Sequence, residues 1–105
     1  MFGLGKGPKL GRVNHDELNE MLADKSVKRQ FIDVRTPDEV SMRKVKGFKN
    51  IPLQVFQNRV GELKKDQPVI LICASGSRSA SAGRFLLSQG FEQVFNVRRG
   101  LIGYR

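Results

Sequence analysis

The stretch from Val69 to Ser79 constrains the fold of this chain more than any other feature of its sequence. It opens with four consecutive apolar residues, 69–72, a pattern typical of a strand that is buried on both faces. The pattern runs into Cys73, the only cysteine, and then into a loop of small residues. A helical apolar pattern follows directly and stops at Gly90. The stretch therefore predicts a strand–loop–helix unit with Cys73 at the carboxyl end of a buried strand.

This position favours ionisation of the Cys73 thiol. Backbone N–H groups and the helix dipole stabilise negative charge at a helix amino terminus and lower the pKa of a cysteine there. A lone cysteine is more often a small packing residue. Packing, however, needs neither Gly76, which allows a positive φ in an anion-binding turn, nor Arg78, whose planar guanidinium suits oxyanions. We therefore predict that Cys73 is a nucleophile, with a binding loop made of Ala74, Ser75, Gly76, Ser77, Arg78 and Ser79.

Length and composition limit the other possibilities. A chain of 105 residues fits a single domain. One cysteine excludes an intramolecular disulfide, and a reactive unpaired thiol fits a reducing compartment, so we expect a cytoplasmic protein. The single histidine, His15, has no partners at metal-ligand spacing, so we predict neither a metal site nor a cofactor, and we assign His15 to the surface of a first helical turn.

The net charge of +9 comes from 19 Lys and Arg against 10 Asp and Glu. The basic residues are spread along the chain with one local cluster at 43–49, and no nucleic-acid-binding motif accompanies them. The aromatic residues are mostly Phe at apolar positions, which favours the core over base stacking. We therefore expect a basic surface that attracts anions or acidic partners, without specific binding of nucleic acid. No segment reaches the length of a membrane span.

The rest of the sequence alternates strand and helix patterns. Residues 1–12 are Gly-rich and basic, and we predict a flexible leader there, with one domain over 13–105. Capping-box patterns predict helices that begin after Asn14 and Thr36. Further helices are expected over 54–65 and 77–89, and strands over 30–35, 50–52, 69–72 and 93–97. The alternation predicts an α/β fold, with a parallel sheet of about five short strands and helices on both faces.

Four stretches carry a family resemblance: Phe31–Arg35 with the Pro-Asp-Glu helix start that follows, Lys44–Leu53, Cys73–Ser79 and Asn96–Leu101. They resemble motifs of the single-domain rhodanese (thiosulfate sulfurtransferase) family and together span most of the chain. The loop from Cys73 to Ser79 is the most specific of the four. The chain departs from the family's usual residues at Lys44, Phe48, Arg99 and Tyr104.

The resemblance implies a two-step transfer of sulfur. The Cys73 thiolate would attack the outer sulfur of thiosulfate or a related sulfane-sulfur donor, and the backbone N–H groups of the loop would hold the resulting persulfide. Cyanide, a thiol or an acceptor protein would then take the sulfur. Because the surface is basic, we expect an acceptor protein to be acidic. Splitting one transfer into two displacements is ordinary covalent catalysis, and it needs no histidine base if the loop keeps the thiolate ionised.

Asp33 and Arg35 are predicted as supporting residues of the site. Asp33 falls at the carboxyl end of a strand, where ligands bind in such sheets. It could orient Arg35 or a loop, or the two could form a structural ion pair. The ion pair is the favoured interpretation, because a carboxylate beside an anionic sulfur would repel it.

Other functions remain open at this stage. A cysteine phosphatase or arsenate reductase also places an arginine in a cysteine loop, but that loop is longer than the four residues between Cys73 and Arg78. A rhodanese-like module that only binds a partner typically lacks the cysteine. A persulfide carrier that serves a dedicated partner would use the same residues as a free sulfurtransferase.

Overall fold

The computed structural model describes residues 8–105 and contains five strands and four α-helices. The strands are β1 (Gly11–Val13), β2 (Gln30–Asp33), β3 (Lys49–Asn50), β4 (Val69–Ile72) and β5 (Val94–Val97). The helices are α1 (His15–Ala23), α2 (Pro37–Met42), α3 (Leu53–Arg59), followed by a 3₁₀ turn (Val60–Glu62), and α4 (Ser77–Ser88).

The five strands form one parallel sheet in the order β1-β5-β4-β2-β3. In register, Asp33 pairs with Ile72, and Val13 pairs with Val97, so the carboxyl ends of four neighbouring strands lie along one edge. The central strand β4 is buried at every position, as expected for a strand covered on both faces. The α/β class and the parallel sheet are therefore confirmed, and Cys73 follows β4 at the edge where such sheets bind ligands.

The two faces of the sheet pack into separate apolar clusters. On one face, Phe56 of α3 and Leu86 of α4 pack against Leu71. On the other face, Leu18 of α1 packs against Ile70 and Ile72. Helices thus cover both faces, and the alternating residues of β4 supply the core of each layer.

Both predicted capping boxes are present. The Asn14 side chain accepts from the Glu17 N–H, and the Thr36 hydroxyl accepts from the Glu39 N–H; each glutamate returns a bond to the backbone of its cap. An N-cap of this kind is worth about 1 kcal/mol relative to alanine. These two caps fix where α1 and α2 leave the carboxyl edge of the sheet.

Two elements differ from the sequence expectation. The pattern of residues 11–13 does not predict β1, because only Val13 is buried and the strand owes its place to pairing with β5. Gly11 and Arg12, assigned to the leader, are therefore strand residues, while residues 1–7 of the predicted leader lie outside the described residues. The helix expected over 54–65 is α-helical only to Arg59, and Gly61 lies in the 3₁₀ turn that ends it.

Within residues 8–105, no helix combines the length and the apolar character that a membrane crossing requires.

The turn after β5 folds back onto the Cys73 loop. Arg99 and Gly100 both have positive φ, +63° and +51°. The Leu101 N–H donates to the carbonyl oxygens of Cys73 and Ala74, at 3.2 and 3.0 Å. A Cβ on Gly100 would lie 2.2 Å from the Cys73 oxygen, so the backbones touch and only glycine fits.

We expect Gly100→Ala to lower the free energy of unfolding by about 3 kcal/mol or more, because backbone has to move away from backbone. Gly103→Ala is the matched control: its φ is also positive, +77°, but nothing lies within 4 Å of an added Cβ. Its loss should be only about 1 kcal/mol, from the backbone conformation alone. Urea denaturation measures both losses. Equal losses for the two variants would show that the contact with the Cys73 loop carries no energy.

Candidate active site

The Cys73 sulfur takes the place of a side-chain cap on α4. Gly76 is the N-cap residue, with φ +101°, and it offers no side-chain cap. An N-cap side chain ordinarily accepts a hydrogen bond from the N–H three residues further on, which here belongs to Ser79. That N–H instead donates to Sγ of Cys73, with 3.4 Å between nitrogen and sulfur. The Gly76 N–H also donates to Sγ, at 3.1 Å. Because Gly76 turns the chain with a positive φ, these donors converge on one atom.

The Ser79 hydroxyl is a third group at the sulfur, with its Oγ 3.2 Å from Sγ. Burial alone would raise the pKa of the Cys73 thiol, which is fully inaccessible to solvent. Hydrogen bonds from the Ser79 hydroxyl and from the N–H groups of Ser79, Ser75 and Gly76 outweigh burial, and the pKa of Cys73 falls below its ordinary value. The loop thus favours the thiolate form of Cys73 through hydrogen bonds from its own backbone and from Ser79.

The Ser79 hydroxyl has one proton and two acceptors. Its Oγ lies 2.5 Å from Oδ1 of Asn96 and 3.2 Å from Sγ of Cys73. The Asn96 amide is oriented by its other end, since Nδ2 donates to the Gly76 carbonyl at 3.0 Å. Oδ1 therefore faces Ser79 and competes with the sulfur for the hydroxyl proton. Asn96 therefore contacts both the Ser79 hydroxyl at the sulfur and the backbone of the loop.

The sequence does not predict Asn96 as a site residue, although the Asn96–Leu101 stretch carries part of the rhodanese resemblance. It lies on β5, and Leu71 is its partner in the sheet register. Its side chain is 8% exposed, so a polar residue is buried beneath the loop. The available signal was a single Asn in an otherwise apolar strand, where a buried amide needs partners.

Arg78 is committed to Glu39. Its Nη1 and Nη2 donate to Oε1 and Oε2 of the carboxylate, at 2.7 and 2.8 Å. Hydrogen bonding by Arg78 is the main reason that the pKa of Glu39 falls to about 2. The guanidinium that we expected to bind a donor anion is therefore already occupied, and it ties the start of α4 to α2.

Asp33 and Arg35 form a buried ion pair, with Nη2 of Arg35 2.8 Å from Oδ2 of Asp33. Arg35 Nε reaches both carboxylate oxygens at 3.1 Å, and Nη2 also donates to the Arg43 carbonyl at 2.6 Å. The Asn50 amide donates to the carbonyls of Asp33 and Arg35. The pair braces the segment after β2 and does not contact Cys73, which agrees with the favoured structural interpretation.

The structure brings His15 to the edge of the site. Its Nε2 lies 2.8 Å from the Gly100 carbonyl oxygen, and its ring packs edge-on against Tyr104 at 5.0 Å between centroids. His15 lies in the first turn of α1, as expected, and its side chain is half-buried by these contacts. No sequence signal linked the first helical turn to a turn 85 residues later.

Two of the four departures from the family pattern, Phe48 and Tyr104, are accommodated by contacts within the fold. Phe48 is 8% exposed and meets Phe31 edge-to-face. Arg43 donates to the Tyr104 carbonyl, and Tyr104 donates to the Asn19 side chain at 2.8 Å. Among residues 8–105 there is no cluster of three His, Cys, Asp or Glu that could hold a metal ion.

A thiol at the carboxyl edge of a parallel sheet, capping the first turn of a helix, defines a domain suited to nucleophilic sulfur chemistry. A family model described as the rhodanese-like domain matches residues 14–105. The chain belongs to the rhodanese-like domain family.

Relatives and solved structures agree with this assignment. A sulfurtransferase of Allochromatium vinosum is 30% identical over 95 residues, which is 90% of this chain and 88% of that protein. The thiosulfate sulfurtransferase GlpE of Vibrio cholerae is 30% identical over 70 residues, 67% of this chain and 66% of that protein. A rhodanese-like domain protein of Staphylococcus aureus has a TM-score of 0.81 at 30% identity, over 91% of this chain and 92% of that one. These relatives support sulfur transfer as the general activity.

We expect Ser79→Ala to raise the pKa of Cys73 and to slow its alkylation at neutral pH about fivefold, because one hydrogen bond to the thiolate is worth about 1 kcal/mol. Asn96→Leu should do the opposite, since the Ser79 proton no longer has a competing acceptor. The rate of iodoacetamide alkylation as a function of pH measures both effects.

The Ser79→Ala/Asn96→Leu double variant is the control for this competition. If Asn96 acts through the Ser79 hydroxyl, the leucine has no further effect on the pKa once the hydroxyl is gone. An equal effect of Asn96→Leu with and without Ser79 would contradict the competition.

Proposed function

We propose that this protein is a thiosulfate sulfurtransferase of the rhodanese type that works through a persulfide on Cys73. The observation that carries the proposal is the convergence of three donors, the Gly76 N–H, the Ser79 N–H and the Ser79 hydroxyl, on Sγ of Cys73. Donors fixed in advance stabilise negative charge on sulfur without reorganising during the reaction. These donors favour the thiolate form of the nucleophile over the neutral thiol.

The two displacements balance without an external oxidant or reductant. In the first, the Cys73 thiolate attacks the outer sulfur of thiosulfate, a new S–S bond forms, and sulfite leaves with the electron pair of the bond that breaks. In the second, cyanide or a thiolate attacks the outer sulfur of the persulfide, and the Cys73 thiolate leaves. The same group serves as nucleophile and as leaving group, so a low pKa assists the second step.

We assign the outer sulfur of the persulfide to the remaining donors of the loop. The N–H groups of Ser77 and Arg78 belong to the first turn of α4 and have no acceptor within the helix. After the first displacement, the negative charge moves one bond outward from Sγ, towards these donors. The Ser79 hydroxyl can then donate its hydrogen bond to Oδ1 of Asn96, so the buried amide keeps a partner.

A persulfide carrier is the second candidate, and the burial of Cys73 favours it. The residue is 0% exposed, so Sγ is not in contact with bulk solvent. A persulfide in that position is shielded from solvent, which suits delivery to a dedicated acceptor. The phosphatase alternative is disfavoured, because the Arg78 guanidinium that would bind an oxyanion is paired with Glu39.

We propose the cytoplasm as the location of the protein, on the ground that an unpaired reactive thiol persists in a reducing compartment.

Incubation of the reduced protein with thiosulfate should add one sulfur atom to its intact mass. Cyanide or a thiol should remove that sulfur, and Cys73→Ser should gain none, because the thiolate is the only nucleophile in the loop. Intact-protein mass spectrometry makes the measurement. A protein that gains no sulfur from thiosulfate or from a small persulfide donor would rule out the persulfide mechanism.

The exposed Arg98 and Arg99 side chains should assist the anionic donor. They follow β5 at the carboxyl edge, and the Arg99 backbone N lies 3.4 Å from the position of a Cβ on Gly76. Reversing both charges, as Arg98→Glu/Arg99→Glu, should raise KM for thiosulfate about fivefold at low salt and reduce its salt dependence.

Lys64→Glu/Arg84→Glu is the matched control, because both residues are exposed and lie on the α3 and α4 side of the sheet. It changes the net charge by the same amount. An equal rise in KM for the two double variants would show that only net charge matters.

A further inference from the structure

A groove lies between α1 and the segment that follows α2, with a cavity volume of about 490 Å³. We call it the basic groove; its cationic lining is Lys25, Arg43, Lys44, Lys46 and Arg105. No Asp or Glu in the described part of the chain lines it. Leu22, Val45 and Gly47 supply apolar surface between the cations. The groove thus combines positive walls with a partly apolar floor, and its volume falls in the range of ligand sites, about 300–1,000 Å³.

The charge of the basic groove is not neutralised by the fold. Several described carboxylates are engaged elsewhere: Asp33 with Arg35, Glu39 with Arg78, and Glu62 with Arg59 and Lys49. None of the described carboxylates lies within 4 Å of a cationic group of the groove. Like charges held close together destabilise the folded state unless a partner compensates them. An unpaired cluster on a concave surface therefore indicates an anionic partner.

The basic groove adjoins the active site through a chain of contacts. Tyr104 lines the groove and packs against His15, and His15 contacts the Gly100 carbonyl in the turn that touches Cys73. His15 also lines a second hollow together with Arg98 and Arg99. The contacts of Tyr104, His15 and Gly100 thus connect the groove with the turn that touches the Cys73 loop. A bound segment in the groove would place the rest of its protein beside the reactive sulfur.

The backbone conformation of Arg99 is a further unusual feature beside the active site. Arg99 is the only non-glycine residue with positive φ in residues 8–105, at +63°. A residue with a side chain is about 1–2 kcal/mol less stable in that conformation than in the right-handed one. The family motif that the 96–101 segment resembles has glycine at the position of Arg99. Arg99 thus places an exposed cation beside the active site, in the second hollow, at a cost in backbone strain.

The chemistry of the groove favours a peptide over a nucleic acid. Single-stranded RNA is bound through bases that stack on free aromatic rings. The only aromatic residue that lines the groove in the described structure is Tyr104, whose ring packs on His15 and whose hydroxyl is bound to Asn19. Carboxylates would pair with the lysines and arginines, while apolar side chains would cover Leu22 and Val45.

We propose that the basic groove binds an acidic segment of the protein that exchanges sulfur with Cys73. This partner rests on the proposed function, because an exchange partner exists only if Cys73 carries sulfur. The recognition itself does not require the thiol, so binding and chemistry can be tested apart.

The test uses a fluorescein-labelled peptide, Glu-Leu-Glu-Glu-Leu-Glu, and fluorescence anisotropy at low salt. We expect Lys44→Glu/Lys46→Glu to weaken binding at least about tenfold, since two attractive contacts become repulsive. The control Lys64→Glu/Arg84→Glu should change the affinity less than about twofold. Cys73→Ser should bind the peptide as the unsubstituted protein does, so that a failure of sulfur transfer in the mass experiment leaves the docking result intact.

Four results would overturn the proposal. A Gln-Leu peptide of the same pattern that binds as tightly would exclude carboxylate recognition. Equal losses in the two double variants, or no binding at all, would show that the groove is not the site. Tighter binding of an oligouridylate of equal charge, lost in Lys44→Glu/Lys46→Glu, would assign the groove to nucleic acid instead.

Discussion

The contact between the Cys73 sulfur and the first turn of α4 is the interaction on which the rest of the site depends. A helix amino terminus has N–H groups that need an acceptor, and a serine or aspartate ordinarily supplies it. Here the chain offers glycine at that position and supplies the acceptor from Cys73 at the end of β4. The same sulfur atom thereby caps the helix and is the proposed nucleophile. The parallel sheet sets this geometry, because β4 must end directly below the start of α4.

Two ion pairs and one turn hold the surrounding segments in place. The buried Asp33–Arg35 pair fixes the segment after β2, and the Glu39–Arg78 pair joins that segment to α4. Replacing one member of a buried pair leaves an unpaired charge and costs about 3–5 kcal/mol, so Arg35 is constrained although it does not touch the sulfur. The turn at Gly100 closes the loop from the opposite side. The loop is therefore held from α2, β5 and the last turn of the chain.

Much of this arrangement is predictable because its signals are local. The buried run of β4, the capping boxes and the loop beside Cys73 are each encoded within a few residues, and all are confirmed as structure. The contacts that escaped prediction join residues far apart in the chain. His15 meets Gly100, Asn96 meets Ser79, and β1 forms only through pairing with β5. Periodicity cannot reveal such contacts, because they depend on which strands become neighbours. The pairing of Arg78 with Glu39 is also a long-range contact. The sequence does not show whether Arg78 pairs with a carboxylate of the chain or with a donor anion, because both suit a guanidinium.

In the proposed persulfide cycle, the sulfur that caps α4 changes its chemical form, and this change affects the start of the helix. A thiolate is a stronger acceptor of the Ser79 N–H than a neutral thiol. In a persulfide much of the charge resides on the outer atom, so the acceptor strength at Sγ falls. In the proposed cycle, the local stability of the first turn of α4 would therefore follow the loading state of Cys73. How tightly the start of this helix is closed would then report whether the domain carries sulfur.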